Sequence, residues 1–414
     1  MNSIFVVVLI SFLSSHKYVH ATVLNNNNKG SNYNNHIEVV IVGAGLTGLS
    51  ACRKLTIHNI SCIVLEASDR VGGRTRNWDT RTGEYDTISN DVVEIGGTFI
   101  SPSHTSLISL GKTLGFNTYN VSLANNNNRK NLKEPAKTWP WWWWGEDTKL
   151  KNSNSSGKKK LKSVFHSFDG SFEFSTPKEL TSNLNQATVN DLEKVGKAMD
   201  EATQNLKTCE SISKEWEEYD VITFEGWIRQ QTYIEESRVI LRNMCRGMIA
   251  SEPSQVSFLS IVKSMKGCWS AGDDDQYRLQ GGSQAISLQI YANKLFPIEL
   301  NTGVNTISRD ENTGTFSIND GKIKSNYVIV TGTPAAISKI AFTPLLDHNS
   351  IQLLQRIPMG QSMKFFIVYE TAWWRKESTY EGGIYATKMP DSIRFKYPFS
   401  CQDHRPFNDD RGGT

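Results

Sequence analysis

A hexad of three glycines is the first place where this chain could do chemistry. Gly43-Ala44-Gly45-Leu46-Thr47-Gly48 follows a β-branched run and opens a helix-forming stretch. Gly43 permits a tight turn, Gly45 leaves the backbone bare where a pyrophosphate can approach, and Gly48 lets helix pack closely on strand. That spacing alone is weak. Glu66 strengthens it, because it closes the next apolar run 18 residues beyond Gly48, where a carboxylate can take ribose hydroxyls. Ala67 follows it, and a second glycine turn, Gly72-Gly73-Arg74-Thr75, brings a cation nearby. A glycine-rich turn beside a charged strand end does not explain this joint placement. A dinucleotide site does.

Such a site needs a βαβ unit to position it. Glu38–Val42 (EVVIV) reads as a buried strand, Leu46–Ile57 as a helix and Ser61–Leu65 (SCIVL) as a second buried strand. Residues 188–250 read as mostly helical, and strand signals return at Phe316–Ile318, Tyr327–Val330 and Phe365–Tyr369. The order predicts an α/β chain, a Rossmann-like dinucleotide-binding domain interrupted by a mixed α+β domain. Residues 37–118 and 271–353 are assigned to the first, 119–270 and 354–414 to the second. The length of 414 residues suits two or three domains. With 38% hydrophobic and 21% charged residues, the chain is neither collagenous nor wholly disordered. A net charge of +3 argues against a general nucleic-acid binder.

The N-terminus reads differently. Ile4–Leu13 is apolar but far short of the roughly 20 residues that span a bilayer, and Val19-His20-Ala21 fits a signal-peptidase site. Residues 1–21 are therefore expected to be a signal peptide, 22–36 an Asn-rich disordered leader, and the protein secreted or lumenal with no membrane span. Asn59, Asn120 and Asn154 head Asn-x-Ser/Thr triplets and become glycosylation acceptors in that setting. Cys52 and Cys62 are expected to pack as small hydrophobes. Cys209, Cys245, Cys268 and Cys401 lack metal-type spacing, as do the histidines, so no metal is expected. Asn125–Asn128 and Lys158–Lys160 read as solvated loops. The run Trp141–Trp144 fits a lid, a partner surface or a membrane-interface patch equally well.

The motifs also carry a resemblance. VVIVGAGLTGLSA followed by VLEASDRVGGRT is similar to the opening of the flavin-containing amine oxidases, the monoamine oxidase family. That resemblance implies FAD, with Arg74 near its phosphates. Val93-Glu94-Ile95-Gly96-Gly97-Thr98, with Phe99 and Pro102, resembles the segment whose backbone lies against the isoalloxazine. Arg278-Leu279-Gln280-Gly281-Gly282-Ser283 looks like a second glycine-bearing return, and Val304 matches a valine whose backbone holds the adenine. Val328-Ile329-Val330 with Pro334 continues the match. Arg356–Gly360, then Ser362-Met363-Lys364, resemble the active-site lysine stretch that ends at Trp373-Trp374-Arg375-Lys376. Lys364 by itself reads as a gatekeeping charge on an edge strand, sharing a face with Phe366 and Val368. The resemblance instead gives it the family's lysine role, holding a water beside flavin N5.

The resemblance implies oxidative deamination of an amine, with a primary monoamine the expected substrate and dioxygen reduced to peroxide. Alternatives are an L-amino-acid or polyamine oxidase, or a non-catalytic remnant of the FAD domain. The expected partners are a small amine and dioxygen, and a homodimer is left open. Family members continue beyond the lysine stretch, so the match leads us to expect a truncated chain that turns over amines poorly. Cys401 lacks the Ser-Gly-Gly-Cys context of a flavin-linked cysteine.

Overall fold

The β-branched run does form an interior strand of a sheet, β1 (His36–Val42), which starts one residue inside the stretch expected to be a disordered leader. In the computed structural model the described residues are 36–120, 162–166, 171–174, 182–206, 209, 214–266, 277–357, 359–360, 364, 366, 380–386 and 400–401. The signal-peptide and leader assignments, the Asn125–Asn128, Lys158–Lys160 and Trp141–Trp144 runs, and most of the Phe365–Tyr369 strand fall outside them. The chain divides into two compact units, Met1–Leu123 with Asp273–Met359, and Ala124–Gly272 with Gly360–Thr414.

The first unit is built on a seven-stranded sheet. β1 pairs in parallel with β2 (Cys62–Leu65) on one side and β12 (Ile323–Val330) on the other. β9 (Ile298–Glu299) extends it past β2, while β11 (Phe316–Ile318), β10 (Thr306–Arg309) and β13 (Ala341–Thr343) complete it beyond β12. Alternate residues of β1 feed opposite faces, as a strand's period of two requires. Val39 and Ile41 join Leu49, Val64, Ile286 and Ile290 on one face. Val40 packs with Ile63, Leu65 and Ile318 on the other. The helix Leu46–Ile57 crosses from β1 to β2, giving the βαβ unit. Two short ribbons complete the unit: β3 (Asn77–Asp79) with β4 (Val92–Glu94), and β5 (Thr118–Asn120) with β8 (Tyr277–Leu279).

One expectation is corrected in this unit. Cys52 and Cys62 are buried, but they are not separate small hydrophobes. They form a disulfide that ties the helix to β2 with Cα atoms 5.8 Å apart. The tight turn at 58–61 folds β2 back beneath the helix and brings the two side chains face to face. Cys209 is also disulfide-bonded, whereas Cys245 is a buried free thiol pushed up to about 12 by its burial.

The second unit contains the helices Gln186–Asn205, Lys214–Val221, Phe224–Gln231, Glu235–Ile249 and Phe258–Met265. Asn185, Thr223 and Ser257 cap three of them by accepting backbone N–H bonds. Their core is aromatic: Trp227 stacks on Phe258 at 4.3 Å and Phe224 lies parallel to both. The same unit carries a four-stranded sheet in the order β15 (Ser400–Cys401), β14 (Tyr380–Ala386), β6 (Lys162–His166), β7 (Ser171–Phe174).

Candidate functional site

The glycine hexad turns at the carboxyl end of β1, where open parallel sheets bind ligands. Gly43 has φ +108°, a conformation only glycine adopts readily, and its N–H donates to Leu65 O at 2.8 Å. A side chain there would meet Thr331 Oγ1 at 2.7 Å. Thr331, at the end of β12, donates to Val42 O at 2.9 Å and so braces the turn. Sequence reading missed Thr331, because nothing local distinguishes it. Gly48 is packed tightly, since a Cβ would sit 2.0 Å from Gly43 O. Gly45 is the opposite case: the nearest atom to an added Cβ is Gly73 Cα, 3.9 Å away. The space over Gly45 is open. Leu46, Thr47 and Gly48 form the first helical turn, whose N–H groups lack intrahelical acceptors.

The second glycine segment closes onto the first. Gly72 N donates to Ala44 O at 2.9 Å and Gly45 forms a parallel bridge with Gly72. The two motifs, 28 residues apart at Ala44 and Gly72, become one backbone cradle. Glu66 locks its wall: Oε2 accepts the Ala44 N–H at 2.6 Å, and Oε1 accepts from Ser68 N and Oγ at 2.9 and 2.8 Å. This fixes the carboxylate at the end of β2 with lone pairs remaining for hydroxyls. Ala67 is exposed and faces Gly303, whose added Cβ would stand 3.8 Å from Ala67 Cβ. Half-buried Val304 is the next residue. The residues proposed for the two ends of the adenosine half therefore share one rim.

Two arginines in the loop divide their work. Arg70 donates to the carbonyls of Gly73, Thr75 and Val71 at 2.8, 3.2 and 3.4 Å, so it holds the loop's shape. Arg74 is exposed, and its side chain has no hydrogen-bond partner among the described residues. That leaves a cation available beside the bare glycines. The Arg70 role was missed by sequence reading, although the residue sits in the quoted motif.

Gly96, Gly97 and Thr98 lie against the same loop. Gly97 N donates to Arg74 O at 3.1 Å, and a Cβ on Gly96 would sit 2.0 Å from that oxygen. Thr98 is buried and donates to Gly96 O at 3.3 Å. Behind them Glu94 pairs with Arg278 at 3.1 Å, both side chains about 95% buried, and accepts the Ser283 N–H at 2.9 Å. Burial pushes the neighbouring Tyr119 hydroxyl up, against the pull of Arg278. Gln284 is another residue that sequence reading did not single out. It is fully buried, accepts from Asn77 N at 2.7 Å and donates to Val71 O at 2.9 Å and Asp86 Oδ1 at 2.8 Å. It thus holds the second glycine turn from behind.

Lys364 belongs to the other unit. It is exposed and carries no strand assignment, with residues 361–363 and 365 outside the described set. Among the described residues no group of His, Cys, Asp and Glu could hold a metal, and no helix is long and apolar enough to cross a membrane.

The family model for flavin containing amine oxidoreductases matches residues 46–413. The chain is 27% identical over 349 residues to flavin-containing amine oxidase A of Canis lupus familiaris, covering 82% of this chain and 58% of that protein. It is 28% identical to an L-amino acid dehydrogenase of Synechocystis, covering 82% of this chain and 65% of that one. This chain thus spans less than two thirds of the length of these relatives. Among solved structures, putrescine oxidase bound to putrescine superposes with TM-score 0.61 at 25% identity, covering 85% of this chain and 70% of that chain. Cyclohexylamine oxidase from Brevibacterium oxydans gives TM-score 0.64 at 21% identity over 85% and 70% of the two chains, a likeness of fold. The open space over Gly45, the anchored Glu66 carboxylate and the available Arg74 cation fit the adenosine diphosphate half of FAD. With the match running through both units, this chain belongs to the flavin containing amine oxidoreductases.

Proposed function

We propose that this chain carries the FAD-dependent oxidation of an amine, best a primary monoamine, to an imine that hydrolyses to aldehyde and ammonia. The observation that carries this reading is the single cradle made from two glycine segments with Gly45 left bare, joined to the family match. When bound, FAD would supply the redox chemistry, hydride acceptance from the amine α-carbon and reoxidation by dioxygen to hydrogen peroxide. The chain's own residues bind and orient. Gly43 to Gly48 and Arg74 hold the pyrophosphate, Glu66 the ribose, and Ala67 and Val304 the adenine. Gly96 to Thr98 support the ring system, and Lys364 positions a water for the oxygen half-reaction. We also propose that the protein is exported, as the Ile4–Leu13 run and Ala21 suggest.

Purified protein should show flavin absorbance near 450 nm, and peroxide release should be greater with benzylamine or tyramine than with amino acids or polyamines. Flavin binding with a clear preference for an amino acid would move the chain to the L-amino-acid reading. Protein that folds without flavin would support the remnant reading. Lys364→Met should slow flavin reoxidation at least tenfold, about 1.4 kcal/mol, with flavin content unchanged. An unaffected rate would return Lys364 to a surface charge.

A further inference from the structure

Asn59 stands in the turn between the first helix and β2, followed by Ile60 and Ser61. Its side chain is exposed and its φ is +61°, so the amide projects from a tight surface turn. Three residues on lies Cys62, disulfide-bonded to Cys52. A second disulfide involves Cys209 in the other unit. Disulfides persist where the compartment is oxidising, which in a eukaryotic cell is also where asparagine-linked glycans are added. Two independent observations therefore meet in one turn: an accessible acceptor triplet, and a neighbouring bond of the kind that persists in the oxidising compartments where such acceptors are used.

Position in the fold strengthens the case. The helix Leu46–Ile57 has 12 residues, so Asn59 lies about 18 Å along its axis from Gly45. It is on the edge where parallel strands begin, opposite the edge where they present a ligand. A glycan there leaves the cradle open. The remaining triplets are less informative. Asn120 ends a strand paired with Tyr277, and Asn154 lies outside the described residues.

We infer that Asn59 is an N-glycosylation site, filled from a polyprenyl diphosphate-linked oligosaccharide. This deepens the export reading and rests on it. The side-chain Nδ2 forms a bond to the anomeric carbon of the first sugar. The bond from that carbon to the diphosphate oxygen breaks, the lipid diphosphate leaves with the electron pair, and the amide proton passes to base. Alternative structural roles exist for both residues. Asparagine tolerates positive φ well, and Ser61 Oγ accepts the Glu38 N–H at 3.1 Å. The variants are chosen to keep those roles.

The full chain, expressed in a eukaryotic secretory host, should give a peptide around residue 59 carrying hexosamine mass that a glycan amidase removes. Ser61→Thr keeps the hydroxyl and should keep the glycan. Asn59→Gly keeps the backbone conformation and should lose the glycan while retaining wild-type flavin content. An unmodified Asn59 beside an intact Cys52–Cys62 bond overturns the site while leaving export standing. An unmodified Asn59 with both thiols free to alkylate overturns site and export together.

Discussion

In the first unit the buried polar side chains hold backbone in place. Gln284 and Asn77 anchor the loops at 71–77, and Glu94 with Arg278 anchors the turn at Ser283. In the second unit the polar side chains join helices to one another. Glu225 accepts from Arg229 at 2.7 Å and from Arg242 at 2.8 and 2.9 Å, and Arg242 also reaches Glu235 at 2.8 Å. Thr188 donates to Glu236 and Thr232 to Asp191. One unit therefore fixes a concave surface, and the other fixes the packing of its own parts. Damage to the first should be read in flavin retention before it is read in stability. Damage to the second should show the reverse.

The strongest way to break that contrast lies within the glycine hexad itself. Gly48→Ala forces a methyl against the Gly43 carbonyl, which is backbone and cannot rotate aside. It should cost more than about 3 kcal/mol and lower the yield of folded protein. Gly45→Val, three residues earlier, has room in the fold but fills the space over the cradle. It should unfold close to wild type in a denaturant titration while losing its flavin. Stoichiometric flavin in that variant would refute the dinucleotide reading.

The mirror experiment removes an aromatic from the second unit. Phe258→Ala takes a fully buried ring from the stack with Trp227 and Phe224, at a cost of about 3–5 kcal/mol in thermal or urea unfolding. Any folded fraction should still bind flavin in proportion. A selective loss of flavin would show that the helical core also shapes the cradle.

Gln284→Leu has a smaller effect and sharpens the comparison. It leaves the buried Asn77 N–H without its acceptor, a loss of about 1–3 kcal/mol, and frees the Val71 carbonyl behind the second glycine turn. Flavin affinity should fall about tenfold when measured by competition, while the helical unit stays intact.

The smallest effects are the pH-dependent ones, and they belong to the second unit. The hydrogen bonds from Arg242, then Arg229, hold Glu225 at about 2, below its ordinary 4.5. Its contribution is therefore complete above pH 4.5 and disappears as the pH falls toward 2. Glu225→Gln should flatten that acid limb, lowering stability at pH 7 by about 1–2 kcal/mol. Asp200 has the opposite sign. Burial pushes it up to about 6, so ionising it costs stability as the pH rises from 3.8 to 6. Asp200→Asn should remove that decline in a pH series of melting curves.

The chain's local sequence determined the βαβ unit, the glycine hexad and the position of Glu66, because each depends on residues close together along the chain. Val39 to Val42 alternate between two cores, Gly43 must adopt a positive φ, and an acid at the end of β2 lands beside the turn at Ala44. Sequence read Cys52 and Cys62 as packed thiols, because a helix residue and a strand residue ten apart reveal their contact only once β2 folds back. The supports of the cradle were equally hidden. Thr331 and Gln284 lie 288 and 207 positions from the groups they hold, Gly43 and Asn77, so no local pattern marks them. Local chemistry chose the residues that could touch a dinucleotide, and long-range packing decided which distant side chains hold them still.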